Sequence, residues 1–335
     1  MGNYILRRLF QIILTLVIFQ TLLFLILDAQ PGDITLQYLT DPRVTPEIRD
    51  QMRIALGLNK PPIERYLQWL RNFTTGNLGI SFSHYPRPVL DIILERAPRT
   101  IVLFLTSTLV SFFVGFVLGK QLAWRRGGSF EYSMTMVGVV LYTIFTPWFA
   151  LILIYLLGLR LGWLPVGKFL DPILWLVIIG TPLGLWALSD VGYLAGDMLE
   201  HMILPVAVAT LVSFAGTMLM MRNTMLETLR EDFVMASRAK GLSEAEVRDK
   251  HAARNAFLPV FTNLIISIPF VLSGGIITET VFSWPGMGLT LLQAVQNEDI
   301  PLAMGAMTCV GVLALFAHLF ADVTYAFLDP RIRYQ

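Results

Sequence analysis

The sequence predicts an all-α polytopic membrane protein with six transmembrane helices. Three observations carry that reading. Hydrophobic residues make up 55% of the 335 and charged residues only 15%, a composition typical of membrane-embedded chains. Apolar runs long enough to cross about 30 Å of hydrocarbon recur along the chain. The charges gather between those runs, most densely from Glu231 to Val260.

The first span is residues 9–27, preceded by Arg7-Arg8. No small-residue cleavage site follows it, so it reads as an uncleaved signal anchor with its N-terminus inside. Residues 28–98 are polar to amphipathic and rich in turn signals such as Pro31-Gly32-Asp33. Long loops translocate largely regardless of charge, so this segment is placed outside as an ordered insert. Short helices are expected in it at Pro46–Leu56 and Ile63–Phe73. The second span, 101–119, exits at Lys120 and Arg125-Arg126. The third, 132–157, leads outward with a kink at Pro147. The fourth, 203–221, runs inward to Arg222, and the fifth and sixth are 264–282 and 303–327.

Residues 171–188 are apolar enough to resemble a further crossing. Were they one, the basic segment from Arg222 to Arg254 would lie outside or the N-terminus would flip. Gly180, Pro182 and Gly184 also weaken a regular span, so the segment reads as re-entrant or interfacial on the outer side. With six crossings, 14 of the 25 Lys and Arg lie inside, and the short outer connections hold only Arg160 and Lys168. That distribution obeys the positive-inside rule.

The polar stretch reads as two short helices broken at Gly241. Gly241 suits the left-handed turn that ends a helix. Ser243 then supplies an N-cap, Glu246 completes a capping box, and Leu242 can staple onto Val247. On charge alone this is either a solvated loop between spans (222–260) or a hairpin built to be gripped.

Catalytic patterns are missing. Gly115 to Lys120 reads GFVLGK, one residue short of a phosphate-binding loop and inside a predicted span. The four histidines show no metal-ligand spacing, and the single Cys309 excludes an internal disulfide. A net charge of +1 offers no field for nucleic acid. Ionisable residues within spans carry more information, because burying them is costly. These are Arg222, Glu279, His318 and Asp322. The last two are four apart and share a helix face, either as a structural pair or as part of a proton relay. Arg222 and Glu279 lie near span ends, where snorkelling explains them. Met218, Met220, Met221 and Met225 cluster at the inner end of the fourth span, and packing is the simpler role for them.

The stretch Ala236-Ser237-Arg238-Ala239-Lys240-Gly241, closed by Leu258-Pro259, resembles the EAA loop of binding-protein-dependent ABC importer permeases. Met235, Ala236 and Ser237 stand where the Glu-Ala-Ala triplet would, as in the peptide branch. Gly76-Asn77-Leu78-Gly79, the run Glu95 to Thr100, the run Glu279 to Gly288 and the tail Leu328 to Tyr334 are similar to B-type permeases of the peptide/nickel branch. Only Leu170 to Leu199 reads differently, being more apolar.

The resemblance implies a type I ABC importer transmembrane domain with an external N-terminal insert and a cytoplasmic EAA coupling hairpin. It implies a homologous C-type permease as heterodimer partner, two cytoplasmic ATPase subunits and an extracytoplasmic substrate-binding protein, set in lipid in a bacterial or archaeal inner membrane. This chain would hold no cofactor, with ATP and Mg bound by the ATPases. Coupling then falls to Ala236, Ser237, Arg238, Lys240, Gly241, Glu244, Arg248, Arg254 and Pro259. Cargo would be di- or oligopeptides, with nickel, oligosaccharide or another small solute as the alternative. An ion-coupled carrier is the rival class, but no inverted repeat is found for it.

Overall fold

The computed structural model describes residues 2–29, 47, 54, 60–170, 188–272 and 274–328. Those residues form helices and turns, with one isolated bridge between Ile80 and Pro88. In order, the helices are α1 (Gly2–Asp28), α2 (Pro62–Thr74), α3 (Val89–Trp124), α4 (Ser129–Thr143), α5 (Thr146–Leu153) and α6 (Leu188–Thr228). Then come α7 (Asp232–Ala239), α8 (Glu244–Glu246), α9 (Ala253–Leu272), α10 (Ile276–Val281), α11 (Met287–Gln296) and α12 (Ile300–Leu328). The segment expected to be re-entrant, 171–188, lies outside the described residues except at Leu188, where α6 begins. The helix expected at Pro46–Leu56 lies outside them too, apart from residues 47 and 54.

Among the described residues, α1, α3, α6 and α12 contain segments long and apolar enough to cross a membrane. They coincide with the first, second, fourth and sixth expected spans, although each helix runs longer than its apolar core. α3 begins at Val89 and passes through Pro98, so the helix takes in the last part of the insert.

The third and fifth spans differ from expectation. Residues 132–157 do not form one kinked helix: α4 stops at Thr143, and the chain from Thr146 to Arg160 leaves at 103°. Pro147 is the cause. It has no N–H for the Thr143 carbonyl and its ring would crowd that group, so the helix ends there and restarts with proline in its first turn. Fifteen residues reach only about 22 Å, short of a full crossing. Residues 264–282 are likewise divided. α9 ends at Leu272, Gly274 takes a left-handed φ of +71°, and α10 follows as a short separate helix.

The centre of the fold is the crossing of α3 on α6. Ser107, Ser111, Gly115 and Gly119 recur every fourth residue on α3, and all are buried. A Cβ on Gly115 would stand 2.7 Å from the Phe214 carbonyl, and one on Gly119 would stand 2.7 Å from Met221 Cβ. Only glycine lets the backbones approach so closely, which is the small-xxx-small device of membrane helix pairs. The glycines of GFVLGK therefore serve packing. Met218, Met221 and Met225 are fully buried in this region, in line with the packing role.

α1 joins α12 through a buried hydrogen bond from Gln20 Nε2 to Thr308 Oγ1 (3.1 Å). The insert is held to the start of α12 by the buried Asp299. Its Oδ2 accepts from Ser81 Oγ (2.5 Å), Ser83 N (2.9 Å) and Ser83 Oγ (2.6 Å), and its Oδ1 accepts from Leu302 N (3.2 Å).

A helical hairpin as the candidate coupling site

After α6, the chain turns into the two arms that the sequence marks. α7 ends at Ala239, and Gly241 takes φ +78°, the left-handed turn that only glycine adopts without strain. Ser243 Oγ accepts from Glu246 N (3.3 Å) and donates to Glu246 Oε2 (3.0 Å), so the capping box forms. Leu242 packs on the same cluster as the buried Val247. The second arm does not stop at Pro259. It passes from α8 through a π-helical stretch, Val247–Ala252, into α9, and Pro259 lies inside that helix. The arm and the fifth span thus share one helical path.

The hairpin has two faces of different character. Its inner face is a core of Val234, Val247, Ala252, Ala253, Ala256 and Val260, packed against Ala123, Met221 and Met225 at the ends of α3 and α6. Full burial of each valine contributes about 1.5–3 kcal/mol. Ser237 belongs to this face: it is buried, and its Oγ donates to the Phe233 carbonyl (2.7 Å). Ala236 does not share that burial. It stands on the outer face with Phe233, Met235, Ala239, Lys240 and Gly241, where Met235 is 63% exposed.

The charged residues divide the same way. Arg238 and Arg248 flank the Trp124 ring, each with Cζ at 5.9 Å from its centroid. Arg238 pairs with Glu244 (3.2 Å), and Arg248 with Asp249 (2.7 Å). Lys120 reaches Asp249 from the end of α3 (2.9 Å). The Arg248 hydrogen bond chiefly holds the Asp249 carboxyl well below the usual carboxylate range; partial burial opposes this, and Lys120 adds to it. Arg238 and Arg248 therefore fasten the hairpin to α3, while Lys240 and Arg254 remain exposed. Trp124, Lys120 and Asp249 are the members that sequence reasoning missed. Tryptophan beside the basic residues that close a span was the available signal.

The intramembrane residues are distributed over α6, α10 and α12. Arg222 Nε donates to Glu131 Oε1 (2.7 Å), tying α6 to the first turn of α4. Glu279 is not snorkelling: it is fully buried and accepts from Thr100 Oγ1 (2.7 Å) and Leu289 N (2.8 Å). It joins α3, α10 and α11, a bracket that Trp284 reinforces through Nε1 to the Arg99 carbonyl (3.1 Å). Asp322 pairs with Arg8 of α1 (3.3 Å), and His318 Nδ1 lies 2.7 Å from the Ala314 carbonyl. Among the described residues, no cluster of metal-ligating side chains occurs.

Several helices apolar enough to cross a membrane, with a polar hairpin packed onto the ends of two of them, define a multi-pass membrane component. The family model described as "Binding-protein-dependent transport system inner membrane component" matches residues 111–334, and its companion for the N-terminal part matches residues 1–104. The chain is 33% identical over 334 residues to the oligopeptide transport system permease protein AppB of Bacillus subtilis (strain 168). It is 35% identical over 341 residues to the di/tripeptide transport system permease protein DppB of Pseudomonas aeruginosa (strain UCBPP-PA14). The dipeptide transport system permease protein DppB of Escherichia coli (strain K12) is 33% identical over 344 residues. Each alignment covers 100% of both chains. The chain belongs to the family of binding-protein-dependent transport system inner membrane components.

Proposed function

We propose that this chain forms one half of the membrane pathway of a peptide importer and couples it to ATP hydrolysis through the Glu231–Val260 hairpin. It is a permease subunit, and hydrolysis belongs to separate subunits. The observation that carries the coupling role is the two-faced hairpin. Its inner face is locked onto α3 and α6, and its outer face leaves Met235, Ala236 and Lys240 free for a partner. A pull or push on the outer face passes from α7 through the shared core of Val234, Val247 and Ala252 to the second arm, which runs as one helical path into α9. In this reading two ATPases, holding ATP and Mg, each grip one hairpin. A C-type permease supplies the second hairpin, and an external binding protein delivers cargo. Both termini of this chain lie in the cytoplasm. Coupling requires that the grip differ in free energy between inward- and outward-open states.

The peptide cargo is supported by the names of the full-length relatives. The test is ATP hydrolysis by the co-purified complex in lipid with its binding protein. Di- and oligopeptides should stimulate it, and nickel complexes and oligosaccharides should not. Stimulation by a non-peptide solute alone would keep the importer and remove the peptide cargo.

A further inference from the structure

A cleft of about 420 Å³ lies between α3, α6 and α9, within the size range of small-molecule sites. Each helix lends it a pair of polar residues spaced by four, Ser107 and Ser111, Ser213 and Thr217, Asn263 and Ser267, and α3 adds Thr108. That spacing places each pair on a single helix face. The described lining contains no ionisable side chain. Ser213 and Asn263 are exposed, Ser213 well inside a helix long and apolar enough to cross a membrane and Asn263 halfway along α9. A polar side chain turned to lipid would lose its hydrogen bonds, so this face is suited to water, a polar occupant or the partner permease. Ser107 Oγ donates to the Leu103 carbonyl (2.8 Å) and Ser267 Oγ to the Leu264 carbonyl (2.7 Å). Each hydroxyl is thus satisfied when the cleft is empty and keeps lone pairs to accept from a passing N–H.

We propose that this cleft is the wet passage for cargo, and that it takes a peptide by its main-chain amides. Hydroxyls and one carboxamide complement the alternating N–H and C=O of any peptide. The lack of fixed charge lets acidic, basic and neutral side chains pass alike. This inference rests on the peptide reading above and names the surface that carries it.

The test uses the intact complex with its binding protein in lipid, in a Cys309→Ser background. Ser213→Cys and Asn263→Cys are compared with Leu109→Cys and Phe113→Cys, exposed positions elsewhere on α3. A charged, membrane-impermeant thiol reagent should modify the first two much faster, and transported peptide should slow that modification. Ser213→Asp should lower uptake of an Asp-rich tripeptide about tenfold relative to a Lys-rich one, because like charges repel strongly at low dielectric. Binding of both peptides to the external protein should not change. Equal labelling at all four positions, in complexes that import peptide, would overturn the proposal. So would equal loss of both peptides in Ser213→Asp. If the wild-type complex imports a different solute, the peptide reading fails, while the labelling pattern still decides whether the cleft is the passage.

Discussion

Replacing Trp124 by alanine should loosen the hairpin without unfolding the membrane domain. The ring stands between Arg238 and Arg248, each 5.9 Å from its centroid, and both guanidinium side chains are partly exposed at 45% and 29%. A cation–π contact in such a setting contributes about 0.5–1 kcal/mol, so the two together contribute about 1–2 kcal/mol. That corresponds to a shift of about 5–30-fold in the docked-to-undocked ratio of α7. Amide hydrogen exchange over residues 232–239 reads the shift directly, and the ratio of peptide imported to ATP hydrolysed should fall with it. Trp124→Phe, which retains a smaller ring, should lose less. In an Arg238→Gln, Arg248→Gln background, Trp124→Ala should add little further exchange. Unchanged protection of α7 in Trp124→Ala, or full additivity with the arginine changes, would refute the clamp.

Gly241→Pro or Ala236→Trp should abolish uptake while the protein stays in the membrane fraction, and Gly241→Ala should cost about 1–2 kcal/mol through its left-handed backbone alone. Uptake and immunoblots of membranes check both. Gly119→Leu should overpack the α3–α6 crossing by about 1–3 kcal/mol or more and lower the yield of monodisperse protein. Thr308→Val should remove the Gln20 hydrogen bond and cost about 0.6–1.7 kcal/mol in a membrane stability assay. Because Asp249 has a depressed pKa, its contribution is present above the usual carboxylate range and is lost as pH falls through the folded value. Protection of α7 relative to the intrinsic exchange rate should therefore be flat from neutral to mildly acidic pH, and Asp249→Asn should lower it at neutral pH.

The hairpin was legible because its signals are local: a glycine for φ +78°, a serine and glutamate three apart, and the Leu242–Val247 staple. The long apolar helices were legible for the same reason. What escaped depends on contacts distant in sequence. Glu279 is placed by Thr100 and Leu289, and Asp299 by Ser81 and Ser83, and no periodicity points from one to the other. Pro147 was visible as a kink, but hydropathy alone does not tell a kink from a full break, and Gly274 lay unmarked inside an apolar run. The Ser107–Gly119 stripe was readable as small residues four apart, yet its partner helix was not.

The central claim is that the outer face of the hairpin is gripped by an ATPase, and site-directed cross-linking tests it most directly. Met235→Cys, in a Cys309→Ser background, would be labelled with a short thiol-directed photoactivatable cross-linker in the co-purified complex and irradiated. The account predicts a cross-link to an ATPase subunit, with a yield that changes between ATP-bound and nucleotide-free states, and none from Ile80→Cys in the insert. Cross-linking from Ile80→Cys but not from Met235→Cys would contradict it.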